Sequence, residues 1–236
     1  MINSRRRVLI TGNDGDSDAG FVLDALAAHG FVPTYEVRDT AERWGSPDEL
    51  LDGVDLVLPL GSDWSVYADH VADQVAAECG LLTAAHHRAI PILGICFGGQ
   101  LLAHALGGSV GPIDRPEIGW CEVHSDDESL VPSGPWAQWH LDGFVVPPGA
   151  LEIARSPSGP QAFLIGRTLG LQFHPEVDES IMLRWAAGDE SAEQMARVGI
   201  DLDTLAEQCR EHAATNPART RALVSAFLRR FGLADT

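Results

Sequence analysis

The sequence predicts an α/β fold: an open, mostly parallel sheet with helices on both faces, a small antiparallel excursion and a C-terminal helical tail. Three observations carry that expectation. Apolar strand-like runs alternate with helix-like segments through Leu106, as in βα units whose parallel strands are buried on both faces. From Ser109 to Phe173 the alternation gives way to short β-rich segments cut by Pro and Gly, which reads as antiparallel pairing. After Pro175 the pattern is helical through Phe231.

The elements follow in order. Val8–Thr11 is a short strand, followed by a polar loop over residues 12–18. Phe21–His29 has helical periodicity and stops at Gly30, a natural C-terminal cap. Phe31–Val37 is a second strand, and the apolar run Val54–Leu60 a third, buried one. A long helix lies within Tyr67–Ala89, a strand over Pro91–Ile95, and a helix over Gln100–Leu106 that stops at Gly107-Gly108. The β-rich stretch offers Trp120–His124, Phe144–Val146, Leu151–Ala154, Ala162–Ile165 and Leu169–Phe173. Helices are then expected over Ser180–Ala187, Ala192–Arg197, Thr204–His212 and Arg219–Phe231, the last with Leu223, Phe227 and Phe231 on one face. Internal repeats and low-complexity linkers are absent.

Composition excludes several function classes. A chain of 236 residues, 45% hydrophobic, can build one substantial core. The net charge of −18 disfavours nucleic acid and anionic membrane as partners, since phosphate binding needs clustered positive charge. All 16 basic residues are Arg, which excludes Schiff-base and P-loop lysine chemistry. No apolar run approaches the roughly 18 residues of a membrane helix. The start, Met1 to Arg7, leads into an apolar run too short for a signal peptide, so a cytoplasmic protein is expected. The four cysteines, Cys79, Cys96, Cys121 and Cys209, form neither a CxxC pair nor a zinc-like cluster with the histidines. No metal or other cofactor is expected. The loop Asp14-Gly15-Asp16-Ser17-Asp18 lacks the later ligands and closing Glu of a calcium loop and reads as solvated. His86-His87 reads as solvent-facing or satisfied.

One cysteine stands apart. In Gly94-Ile95-Cys96-Phe97-Gly98-Gly99-Gln100 a strand runs into Cys96 and a helix starts just after it. Glycines two residues to either side permit a sharp turn of the nucleophile-elbow kind. The helix N-terminus favours a thiolate, and the Phe97 N–H can face a developing oxyanion. The alternative is a buried Cys at a tight joint. A base is available in Gln172-Phe173-His174-Pro175-Glu176, just beyond another apolar strand. In a parallel sheet such groups gather at the carboxyl ends of strands. His174 can therefore meet Cys96, with Glu176 holding the imidazole tautomer as the third member of a triad.

Gly94-x-Cys96-x-Gly98-x-Gln100 together with Gln172-Phe173-His174-Pro175-Glu176 resembles the signature of class I glutamine amidotransferases, and within them the glutaminase domain of GMP synthase and its free-standing relatives. The resemblance covers roughly residues 7–178. It implies a Rossmann-like domain, taken as residues 1–187, with 188–236 as a helical extension packed on it. It also implies that Cys96 attacks the side-chain amide of glutamine, that a γ-glutamyl thioester forms, and that His174, oriented by Glu176, moves the protons. The family's oxyanion turn matches Leu60-Gly61-Ser62-Asp63, with Ser and Asp replacing the usual Gly and Pro. That match places the donors at Ser62 N–H, beside Gly61, and Phe97 N–H; an ordinary strand-ending loop is the alternative. Trp139-His140-Leu141-Asp142-Gly143-Phe144 resembles the loop that binds the α-amino and α-carboxylate groups, so Leu141, Asp142 and Gly143 are candidate substrate contacts. His140 and Asp142 could equally be a structural pair. Gln100 is expected to shape the pocket.

The leading expectation is an amidotransferase that hydrolyses glutamine and delivers ammonia to an acceptor on a separate synthetase. Residues beyond 178 show no nucleotide-binding loop of their own. A stand-alone γ-glutamyl hydrolase or peptidase would use the same triad on a γ-glutamyl compound. A non-catalytic binding protein that retains the fold is the third reading, and the intact triad argues against it.

Overall fold

The computed structural model describes residues 6–188 and 190–234. The expected start over residues 1–5 lies outside them. Nine strands among the described residues form one sheet in the order β2-β1-β3-β4-β9-β8-β7-β5-β6. The parallel half contains β1 (Arg6–Gly12), β2 (Phe31–Val37), β3 (Leu56–Pro59), β4 (Ile92–Ile95) and β9 (Thr168–Leu171). The other half is antiparallel, with β5 (Ser109–Ser125), β6 (Gly134–Val145), β7 (Leu151–Ser156) and β8 (Gly159–Ile165). β5 and β6 make one long hairpin, and β5 joins β7 only through His124 and Ser125. The hairpin outruns the short strands expected because Pro112, Pro116 and Pro135 break the apparent pattern. Its pairing absorbs the first two at a register shift between Pro112 and Glu117, the kind of place where a sheet tolerates Pro.

Helices cover both faces. On one side lie α1 (Gly20–Ala28) and α8 (Asn216–Arg230), whose Val22, Leu26, Leu223, Val224, Phe227 and Leu228 pack on Val8, Ile10, Leu56, Leu58 and Leu93. On the other lie α3 (Ala72–His87) and α4 (Phe97–Ala105), with Leu81, Leu82, Leu101 and Leu102 against Leu9, Val57 and Ile92. The alternation Val8/Leu9/Ile10 shows why a continuous apolar run suits a strand buried on both faces.

Local chemistry sets the ends. Gly30 closes α1 at φ +81°, where a side chain would be strained. The one-turn α2 (Pro47–Leu50) starts at Ser46, whose hydroxyl and Glu49 form a reciprocal capping box. α5 (Glu179–Ala186) and α7 (Leu202–His212) begin at Asp178 and Asp201, whose carboxylates accept from Ile181 N–H and Thr204 N–H at 2.8 Å. α6 (Ser191–Val198) stops at the left-handed Gly199. These three helices build a smaller core against the β5–β6 hairpin, centred on Ile118, Ala137, Ile181, Met182, Met195 and Leu205. Among the described residues no helix is long and apolar enough to cross a membrane.

Candidate active site

The site sits where the parallel strands end. β3, β4 and β9 are neighbours, so Leu60-Gly61, Cys96 and Gln172–His174 emerge side by side at their carboxyl ends. Cys96 N–H donates to Leu171 C=O at 2.9 Å, continuing the β4–β9 pairing into the elbow. His174 N–H donates to Ala137 C=O at 2.8 Å, anchoring the segment after β9 to the hairpin.

Cys96 itself carries the strain of the elbow, with φ +50° and ψ −108°. The flanking glycines permit the sharp turn, as expected, by leaving room where a Cβ would clash. Gly94, Gly98 and Gly99 are not left-handed; they permit close approach. A Cβ on Gly98 would lie 2.1 Å from Pro59 O, one on Gly99 2.3 Å from Leu171 O, and one on Gly94 2.8 Å from Gly98 O. α4 is thus set directly on the strand ends, with Cys96 at its N-terminus.

Gly61, Cys96 and His174 converge. A Cβ on Gly61 would lie 2.9 Å from His174 Cε1 and 3.7 Å from Cys96 Cβ. His174 Nδ1 and Glu176 Oε1 are 2.6 Å apart. Cys96, His174 and Glu176 are 4%, 3% and 2% exposed, so little of the cluster faces bulk water. His174 Nε2 has no hydrogen-bond partner of ordinary geometry among the described residues. Burial alone would lower the His174 pKa. The charges of Glu176 and Cys96, with the Glu176 hydrogen bond, outweigh it and hold the imidazole well above its usual 6.5. Burial pushes the Cys79 and Cys121 thiols up to about 12 and raises Cys209.

The remaining expected residues divide. Gln100 is buried, and its Nε2 donates to Asp142 C=O at 3.1 Å and Gln172 Oε1 at 3.3 Å. Leu141, Asp142 and Gly143 lie on β6 rather than in a loop. The Asp142 carboxylate accepts from Ser65 Oγ at 2.7 Å and Tyr67 Oη at 2.9 Å, tying the segment after β3 to the hairpin. His140 bonds the Asp142 carbonyl through Nδ1 at 2.9 Å, not its carboxylate, and meets Glu117 through Nε2 at 3.1 Å. Ser62 Oγ accepts from Trp64 N–H at 3.1 Å, and Phe97 is the first residue of α4. Among the described residues no group of His, Cys, Asp and Glu is arranged to hold a metal.

Three neighbours escaped the sequence reading. Gln172 Nε2 reaches Cys96 Sγ at 3.7 Å, and its position two before His174 on an extended segment was the available signal. Trp185 of α5 meets the His174 ring at 4.7 Å between centroids. Asp16 accepts from the Trp185 indole N–H at 3.0 Å, so the acidic loop is a brace rather than simply solvated. Arg38 lies buried beneath the Leu60–Gly61 turn, and nothing in its sequence context marked it.

Comparison with known proteins places this geometry. The family model for class I glutamine amidotransferases matches residues 69–182. GMP synthase of Aeropyrum pernix is 44% identical over 95 residues, 37% of this chain and 19% of that protein. The separate glutamine-hydrolysing subunit of GMP synthase from Sulfurisphaera tokodaii is 33% identical over 141 residues, 56% of this chain and 72% of that subunit. The chain therefore matches under a fifth of the A. pernix enzyme but nearly three quarters of the S. tokodaii subunit. The crystal structure of a glutamine amidotransferase from Thermotoga maritima superposes with a TM-score of 0.82 at 28% identity, over 95% of this chain and 98% of that one.

Proposed function

The chain belongs to the class I glutamine amidotransferases, and from that premise we propose that it hydrolyses the side-chain amide of glutamine through a Cys96 thioester. The observation that carries the reading is the buried Glu176–His174 contact of 2.6 Å beside Cys96 at the head of α4. Glu176 fixes the tautomer and steadies the imidazolium. The Cys96 thiolate attacks the amide carbon, and the oxyanion takes hydrogen bonds from Ser62 N–H and Phe97 N–H. His174 protonates the departing nitrogen, and ammonia leaves. Water then attacks the thioester, gives its proton to His174, and releases glutamate with the thiolate restored. Gln100, Leu141, Asp142 and Gly143 hold the amino-acid end of the substrate.

The ammonia passes to a synthetase partner that binds the acceptor, in the cytoplasm. The subunit organisation of the S. tokodaii relative supports this arrangement. A diazo-ketone analogue of glutamine tests the chemistry. Mass spectrometry should find the adduct on Cys96 alone, with glutamine protecting it and no adduct in Cys96→Ala. The wild type should release equimolar glutamate and ammonia from glutamine. Labelling spread over the four cysteines would refute the nucleophile. Faster cleavage of γ-glutamyl conjugates than of glutamine would instead make the protein a γ-glutamyl hydrolase.

A further inference from the structure

Directly below the Leu60–Gly61 turn lies a polar cluster with no part in the reaction steps above. Arg38, the residue after β2, is 1% exposed, and Glu78 of α3 is 0% exposed. Arg38 Nε donates to Glu78 Oε2 at 2.6 Å and Nη2 to Glu78 Oε1 at 3.1 Å. Thr11 Oγ1 donates to Glu78 Oε1 at 2.5 Å, and Arg38 Nη1 to Asn13 Oδ1 at 2.8 Å. The pair is thus hydrogen-bonded on several sides, as buried charges require.

The same guanidinium also reaches the turn. Nη2 donates to Leu60 C=O and Nη1 to Gly61 C=O, both at 3.0 Å. A trans peptide points its N–H opposite its C=O. Holding two successive carbonyls on Arg38 therefore directs the following two N–H groups, of Gly61 and Ser62, to the far side of the turn. Gly61 packs against Cys96 and His174. Arg38 also lies 4.8 Å from the centre of the Phe97 ring, a cation–π distance, and Phe97 heads α4 beside Cys96.

We propose that Arg38 is a positioning residue that braces both halves of the oxyanion hole, orienting the Leu60–Gly61 and Gly61–Ser62 peptides through their carbonyls and Phe97 through its ring. It never touches substrate. A lysine keeps the charge but lacks the planar fork that serves Glu78 and the two carbonyls together. The inference rests on the reading of Cys96 as an acyl-transfer nucleophile.

The test separates oxyanion chemistry from thiolate chemistry. Hydrolysis of glutamine and of L-γ-glutamyl-p-nitroanilide passes through an oxyanion, whereas alkylation of Cys96 by iodoacetamide is a direct displacement at carbon. Removing one oxyanion donor costs roughly 100- to 1,000-fold in kcat, so misdirecting one should cost about 10- to 100-fold. Arg38→Lys should therefore lower kcat on both substrates by that factor, change KM less than about 3-fold, and leave the Cys96 alkylation rate within about 2-fold. A folded variant with unchanged kcat, or one whose alkylation falls in step with kcat, overturns the proposal. Should Arg38→Lys not fold, Asn13→Ala, which frees one guanidinium donor, decides by the same pattern at about 3- to 10-fold. If the wild type hydrolyses neither substrate, the reading of the site fails and this inference with it.

Discussion

His174 is the residue whose charge state ties the site to the stability of the fold. Its pKa is raised well above 6.5 in the folded chain, against the effect of burial, by Glu176 and Cys96. The folded state then binds a proton more tightly than the unfolded one. Its stabilising contribution is complete below about pH 6.5 and is lost as pH climbs through the higher folded value. His174→Gln does not titrate, so the wild type should exceed it in unfolding free energy most at acidic pH. Urea unfolding of both proteins from pH 6 to pH 9 checks this; a difference that grows with pH would contradict it. Residues of this kind were legible because their types recur in a spaced pattern: Cys between glycines, His-Pro-Glu after a strand. Arg38 was not, because one buried arginine after a strand reads like any exposed one until the packing around it is known. Asp142 was legible as polar and near the site, but its bonds to Ser65 and Tyr67 cross from β6 to a distant segment.

The elements show two uses of glycine that the sequence does not distinguish. Gly30 closes α1 at φ +81° with nothing within 4 Å of where a methyl group would sit, so Gly30→Ala should cost about 1 kcal/mol of backbone strain. Gly98 has an ordinary backbone but would drive a Cβ to 2.1 Å from Pro59 O. Gly98→Ala must part α4 from β3 and should cost about 3 kcal/mol, with loss of amide hydrolysis. Equilibrium urea unfolding ranks the two, and equal costs would show that the joint can give. Strand and helix positions through β4 were readable because a strand buried on both faces must be apolar throughout. Tyr67–Ala89 yielded only part of its length to α3, since Asp69–Val71 forms a separate 3-10 turn. The β5–β6 hairpin was only partly readable, because its buried polar residues are joined across strands: Glu117 meets His140, and Gln161 of β8 accepts from Gln138 and donates to Glu117. Such cross-strand pairing leaves no hydrophobic alternation to detect.

For the whole molecule, the helices after residue 178 have two destinations. α5, α6 and α7 back the hairpin and bring Trp185 to His174. α8 completes the main core, where Leu223, Val224 and Phe227 are fully buried. Deleting residues 191–236 should therefore abolish the cooperative thermal transition expected of the full chain. A soluble truncation with a sharp transition would show that the sheet holds without α8. The pairing of α8 with α1, reinforced by His29 Nε2 and Ser225 Oγ at 2.9 Å, also governs how the chain comes into being. During synthesis α1 emerges early and its cover last, while Cys96 waits for Gln172, 76 residues further on. Closing such long separations is slow, and surface left open meanwhile invites association with other chains. A nascent chain still lacking α8 therefore carries Cys96 without a finished core. Every member of the Cys96–His174–Glu176 cluster is made before the helix that closes the core, so the finished site waits on its own scaffold.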